Sequence, residues 1–205
     1  RCFKLFELRE GILRKTIAFK ELLTNDTYKR FIEDIILYGI FRYEKEFKED
    51  NYGIPHFKLY EQYQMIDAAL LSNYRKTHSS FRGSGLLANG NDYFLFIDLH
   101  KEADIKESIN YHDEFINEQY FQWQTPNSTA PSSDRGKNII NNKERGIALH
   151  LFIRKYKTID GKTEPYIYIG KGDTEEYSGE KPITVKMKLE HTLPASLYTE
   201  FTKRV

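Results

Sequence analysis

The chain is short of sulfur, proline and tryptophan, with one cysteine, two methionines, six prolines and one tryptophan in 205 residues. A single cysteine, Cys2, permits no internal disulfide and no cysteine-based zinc site, which suits a reducing cytoplasm. Long apolar runs are missing too. The best pieces, YFLFI and IALHLFI, fall well short of the roughly 20 residues a membrane helix needs, and no charged-then-apolar leader opens the sequence. Neither a membrane partner nor secretion is expected. The chain begins at Arg1 without a methionine, so it is expected to be an excised piece of a longer protein. Net charge is nearly absent at +1, which by itself predicts no polyanion partner.

Catalytic signatures are equally scarce. GSGLLANG is glycine-rich but lacks the lysine and hydroxyl of a phosphate-cradling loop. His56-Phe57-Lys58 has the H-x-K of phospholipase D-type nucleases, yet the aspartate wanted five residues after the lysine is Tyr63, and no second copy exists. The six histidines form no H-x-x-x-H pair, and no G-x-S-x-G elbow is present. Asp98 with Asp104 and Lys106 offers two carboxylates and a lysine able to hold Mg²⁺ and polarise a water. A solvated helix start after YFLFIDL would produce the same letters. By elimination a binding module outranks an enzyme, and no catalytic residue, metal or cofactor is expected in this fragment.

What is present is a globular composition, 40% hydrophobic and 30% charged, with 15 Tyr and 14 Phe. Residues 1–120 hold 17 basic and 20 acidic groups, residues 121–205 hold 14 and 10. Within 135–157, Arg135, Lys137, Lys143, Arg145, Arg154, Lys155 and Lys157 stand against Glu144 alone. Such a cluster is either a solvated face or a phosphate-binding surface.

Apolar residues at Leu8, Ile12, Leu13, Ile17, Phe19, Leu22 and Leu23 recur at helical steps, and Thr24, Asn25 and Asp26 form a capping cluster. Phe31, Ile35, Ile36, Tyr38, Ile40 and Phe41 continue a second helix. LYEQYQMIDAALLSNY predicts a third, and these stripes predict the shared core of a small bundle. From His78 the texture changes to strand-length pieces: YFLFIDL, YFQWQ, GIALHLFIRKY, PYIYIGKG and ITVKMKLEH. Turns are expected at Asp160-Gly161 and in GKGD at 170–173, and a short helix at Ile105–Phe115. The expected fold class is α+β, with a small helical subdomain over 1–80 followed by a curved β-sheet or barrel over 81–205.

The stretch FQWQTPNSTAPSSDRGKN carries the most chemistry. On a strand, Phe121 and Trp123 share one face and Gln122 and Gln124 the other. The rings are either a core anchor or a wall on which a planar base stacks, with Gln124, Asn127 or a nearby carboxylate reading its edge.

INYHDEF, FQWQTPNSTAPSSDRGKNIINNKERGIALHLFIRK, PYIYIGKG and YSGEKPITVKMKLEHTLPASLY, with SSFRGSG and LYEQYQMIDAALL upstream, resemble the C-terminal module of SauUSI-like type IV, modification-dependent restriction enzymes. These join a phospholipase D-type nuclease, a superfamily 2 helicase and this module. The resemblance rests on many weak positions in order and covers about the whole chain. It implies a bacterial, cytoplasmic phage-defence protein whose full-length form uses ATP and a divalent metal. It also implies that this part, similar to an SRA (SET- and RING-associated) domain, recognises 5-methylcytosine or 5-hydroxymethylcytosine in duplex DNA by flipping the base into an aromatic pocket. On that expectation Trp123 and Phe121 form the wall and Tyr111 or Tyr120 the opposing ring. Asp113, which could equally cap or pair with a neighbour, accepts from the cytosine amino group, with Gln124 and Asn127 completing the edge. Arg135, Lys137, Lys143, Arg145, Arg154 and Lys155 hold phosphates. The expected partners are methylated duplex DNA and the helicase and nuclease domains of the same polypeptide. The rival reading is a docking module with no DNA specificity of its own.

Overall fold

The computed structural model describes residues 4–46, 57–72, 74, 85–100 and 113–203. By internal contacts the chain divides into two compact units, Arg1–Glu49 and Asp50–Val205. The fold is α+β, as its sequence predicts, and no helix among the described residues is long and apolar enough to cross a membrane.

The first unit opens differently from its apolar spacing. Phe6–Arg9 (β1) and Ile12–Lys15 (β2) form an antiparallel hairpin in place of the expected helix. Glu10 and Gly11 form its two-residue turn with φ of 51° and 77°, the left-handed region that a glycine enters without steric cost. Ile17–Leu22 (α1) follows, started by the Thr16 hydroxyl accepting from the Phe19 N–H at 3.2 Å. Asp26–Glu46 (α2) is started by Asn25, whose side chain accepts from the Tyr28 N–H at 3.0 Å; the expected capping cluster therefore does its work. The expected bundle core does not form within this unit: among its described residues only Phe19 is buried.

The second unit is built on one open sheet. Its strands are Gln62–Tyr63 (β3), Leu86–Asn89 (β4), Asp92–His100 (β5), Glu114–Phe115 (β6), Tyr120–Gln124 (β7), Ala148–Tyr156 (β8), Tyr166–Ser178 (β11) and Thr184–Leu189 (β12). Their order is β4-β5-β8-β11-β12-β7-β6, with β3 pairing β11. The path does not close, so the curved-sheet form of the expectation holds and the barrel form does not. Thr158–Ile159 (β9) and Lys162–Thr163 (β10) make a separate hairpin around Asp160-Gly161, both with positive φ, where a turn was expected. GKGD is not a turn. It lies inside β11, whose register against β8 shifts between Tyr168 and Gly170, a bulge that bends the strand instead of reversing it. The third expected helix shortens to Met65–Leu71 (α3), because Gln62 and Tyr63 are taken into the sheet. Of the expected helix at 105–115, residues 105–112 lie outside the described residues and Glu114–Phe115 is strand.

One face of the sheet carries the main core. Leu95, Leu151, Ile169, Val185, Met187 and Phe121 lie there with Ile139 of Asp134–Ile140 (α4) and Phe201 of Ala195–Thr202 (α5). Among the described residues of this unit, the opposite face is covered over β5, β8 and β11. There Phe57 packs its ring 5.4 Å from those of Phe152 and Tyr168, and Tyr63 closes on it at 5.1 Å. The fully buried stretches YFLFI of β5 and LHLFI of β8 read as nearly continuous apolar runs, whereas TVKMKL of β12 alternates because one of its faces meets solvent.

Candidate nucleic-acid interface

The open face of β7 and β12 is defined by register. Thr184 lies opposite Gln124, Lys186 opposite Gln122, and Lys188 opposite Tyr120, and residues paired this way point to the same side. Lys188 in turn faces Asp173 of β11, and Lys186 faces Glu176. A polar face results, with Tyr120, Gln122 and Gln124 half-buried and Lys188 exposed. The Lys186 ammonium sits 5.3 Å from the Tyr120 ring centroid and 2.9 Å from Glu176. The hydrogen bond and charge of Glu176 raise the lysine's pKa, fixing it as a cation.

The basic segment reaches the same row. Asn142 is buried and pins the loop after α4 to β11: its amide donates to Asp173 at 2.9 Å, and its carbonyl accepts from the Thr174 N–H at 2.9 Å. That brings Lys143 to 3.9 Å from Asp173. Lys143 of that loop and Asp173, Lys188 and Tyr120 of three adjoining strands therefore succeed one another, the strands at spacings of about 4.8 Å. The loop before α4 is equally fixed. Ser133 caps α4 by accepting from the Gly136 N–H at 3.1 Å and donates to the Ala130 carbonyl at 2.6 Å. A β-carbon on Gly136 would overlap that same carbonyl, so the glycine of SSDRGKN is dictated by close packing.

The expected pocket residues separate. Phe121 is fully buried and Trp123 is 4% exposed, both inside the main core. The alternation that puts them on one face puts them on the face that packs with α4 and α5, beside Val185 and Met187 of β12, so they form no open wall. Tyr120 and Gln124 lie on the other side of the strand, Asn127 is exposed in the following loop, and Tyr111 lies outside the described residues. Asp113 accepts the backbone N–H of Gln124 at 2.8 Å, the neighbour-pairing role left open by its sequence. Gln124 donates through its amide to Thr184 at 3.1 Å.

The phosphate candidates separate as well. Arg135 and Lys137 are exposed on α4, Lys143 is exposed in the loop after it, and exposed Arg145 donates to Asn138 at 2.6 Å. Lys155 donates to the Lys203 carbonyl at 2.7 Å. Arg154 is a correction. Only 7% exposed, it donates twice to Asp98, at 2.6 and 3.3 Å, and once to the Glu164 carbonyl at 2.8 Å, with its guanidinium 4.1 Å from the Tyr166 ring. It is a structural ion pair, bound on three sides and not presented to phosphate. Burial first, then the Asp98 charge, push the Tyr166 phenol well above its ordinary pKa against the opposing pull of Arg154. Asp98 is thereby committed, and the metal reading that used it has Asp104 and Lys106 outside the described residues. Sequence reasoning also missed the aligned Tyr168, His150 and Asp92, joined at 2.9 and 3.1 Å; a polar residue inside the apolar run of β8 was its only signal.

These features define an α+β module whose sheet, among the described residues, is covered fully on one side and over half of the other. A family profile described as "Domain of unknown function (DUF3427)" matches residues 57–201, and the chain belongs to that family. No curated protein matches it. Among solved structures, the crystal structure of Arabidopsis thaliana SUVH6 in complex with SAM is similar at a TM-score of 0.44 and 10% identity, over 80% of this chain. The chain spans 32% of that structure's length.

Proposed function

We propose that this chain is the DNA-binding target-recognition domain of a SauUSI-like type IV restriction enzyme, SRA-like in fold, reading 5-methylcytosine or 5-hydroxymethylcytosine in duplex DNA. The observation that carries the DNA part is the row Lys143, Asp173, Lys188 and Tyr120. It joins cations suited to phosphates with a ring suited to a base, and Gln122 is the next residue but one along β7. Stacking on Tyr120 supplies about 1–3 kcal/mol to any base. The amides of Gln122 and Gln124 supply edge recognition, and Lys143, Lys186 and Lys188 with Arg135 and Lys137 hold the backbone. Phe121 and Trp123 act from behind, by stiffening the strand that carries Tyr120. The methyl group adds about 0.8 kcal/mol when enclosed by apolar surface, so base flipping is the step that makes modification readable. Catalysis, ATP and metal belong in this reading to the nuclease and helicase parts of the polypeptide, in the bacterial cytoplasm.

The test is equilibrium binding of the chain to matched duplexes carrying cytosine, 5-methylcytosine or 5-hydroxymethylcytosine at one position, at about 0.15 M salt, where exposed charges are screened within about 8 Å. Tighter binding to the modified duplexes, lost in Tyr120→Ala, is the expected result. Equal affinity for all three would leave a general DNA-binding surface, and no affinity would make the chain a docking module.

A further inference from the structure

The loop that carries Lys143 also holds an arginine in a fixed pose. Its backbone is closed by hydrogen bonds from the Arg145 N–H to the Asn141 carbonyl at 3.0 Å, from Gly146 to Lys143 at 3.2 Å and from Ile147 to Asn142 at 2.8 Å. The side chain is tied down as well. Arg145 donates from Nε to the Asn138 side-chain carbonyl at 2.6 Å, and the Asn138 amide donates to the Tyr93 hydroxyl at 2.7 Å. Tyr93 is 7% exposed and belongs to the main core. An exposed guanidinium is thus connected, through one half-buried amide on α4, to β5. Its Nη1 and Nη2 bond to nothing else among the described residues.

We infer that Arg145 is a base-reading arginine, which gives the chain a preference for a guanine at a fixed offset from the modified cytosine. This role rests on the reading of the chain as a DNA-binding domain and adds to it a residue that selects the flanking sequence. A phosphate accepts a cation from many directions, so Arg135 and Lys137, whose side chains no described residue holds, suffice for it. A guanidinium whose plane is set in advance loses less freedom on binding, and it gains most where the acceptors are fixed too. Guanine offers such a pair, O6 and N7 on its major-groove edge. The end of the guanidinium that Asn138 leaves free presents two parallel N–H donors to match. The loop tip, Lys143 to Gly146, is exposed throughout, as entry to a groove requires.

The test is selection of duplexes by the 205-residue chain from two libraries with random flanks, one carrying 5-methylcytosine and the other cytosine at a fixed position. The bound pool should be enriched in guanine at one fixed offset, and matched duplexes with guanine or adenine there should differ about 5- to 150-fold in affinity. Arg145→Ala should bring that ratio close to one without moving the urea midpoint, because the side chain is exposed. Arg145→Lys should lose the preference while keeping the logarithmic salt slope, since the charge remains. Asn138→Ala should weaken the preference, and Asn138→Asp, which keeps an oxygen to hold Nε, should retain it. Modification preference with no favoured flanking base, or a guanine preference that survives Arg145→Ala, overturns this role alone. A slope lowered by about 1 in Arg145→Ala with no favoured base makes Arg145 a phosphate contact and overturns it as well. Guanine preference without modification preference upholds the role and removes the methyl reading; no binding to either library overturns both.

Discussion

The two halves of the large sheet are made of the same kind of strand but do different things. Over β5, β8 and β11 both faces are covered, and the side chains there, from Phe94 and Phe152 to Tyr168, are fully buried. Over β12, β7 and β6 one face is covered and the other presents Tyr120, Gln122, Lys186 and Lys188. Covering a second face contributes stability and removes a surface. Leaving it open gives up roughly 1.5–3 kcal/mol per large apolar side chain that burial would have contributed, and yields an exposed polar platform. The doubly covered half therefore acts as the scaffold, and the singly covered half is where a ligand can be met.

The contrast is broken most severely by hollowing the sealed half. Phe152→Ala should cost about 3–5 kcal/mol, seen as a lower urea midpoint at unchanged slope. Trp123→Ala should cost a similar amount, because its ring belongs to the core although its strand carries the open face; loss of duplex binding with no loss of stability would place the ring in a pocket instead. A smaller effect is expected from Tyr168→Phe, which leaves a ring nitrogen of buried His150 without its partner, at about 1–3 kcal/mol.

On the open half the order reverses. Tyr120→Ala should change stability by less than about 0.5 kcal/mol yet weaken duplex binding roughly 5- to 150-fold if the ring stacks on a base. Equal affinity of the two proteins by fluorescence anisotropy would remove Tyr120 from the interface. Lys188→Ala should lower the magnitude of the logarithmic salt slope by about 1 for each phosphate it holds.

The smallest effect concerns His100 at the end of β5. Burial, then the charge of Lys155, lower its pKa in the folded chain. The unfolded chain therefore binds a proton first, and stability should be lost as pH falls from about 6.5 toward the folded value. His100→Gln should flatten that slope in urea midpoints measured at several pH values.

The sheet was more legible than the site. YFQWQ coincides with β7, and TVKMKL announced a half-buried strand through its period of two, because alternation is a local property. Misreadings arose where one glycine decided between outcomes: Gly11 closes a hairpin that Leu8, Ile12 and Leu13 made look helical, and Gly170 bulges a strand where a turn was expected. Alternation correctly placed Phe121 with Trp123, but which face is covered depends on α5, which arrives some seventy residues later. Arg154 was taken for a phosphate ligand for the same reason. Its partner Asp98 lies 56 residues away, joined to it only by the pairing of β5 with β8.

That pairing is parallel, the one parallel contact among the described strands of the large sheet, and it sets a timetable. β5 cannot bond to β8 until the residues between Asp92 and Ala148 have emerged and β6, β7 and α4 have been made. At about 5–20 residues per second of synthesis, the apolar strand YFLFI waits several seconds with one edge unpaired. Pairs so distant in sequence also close slowly. Newly made chains should therefore be most prone to aggregate after β5 has appeared and before β8 arrives, and a truncation ending anywhere between them should give insoluble protein instead of a smaller folded one.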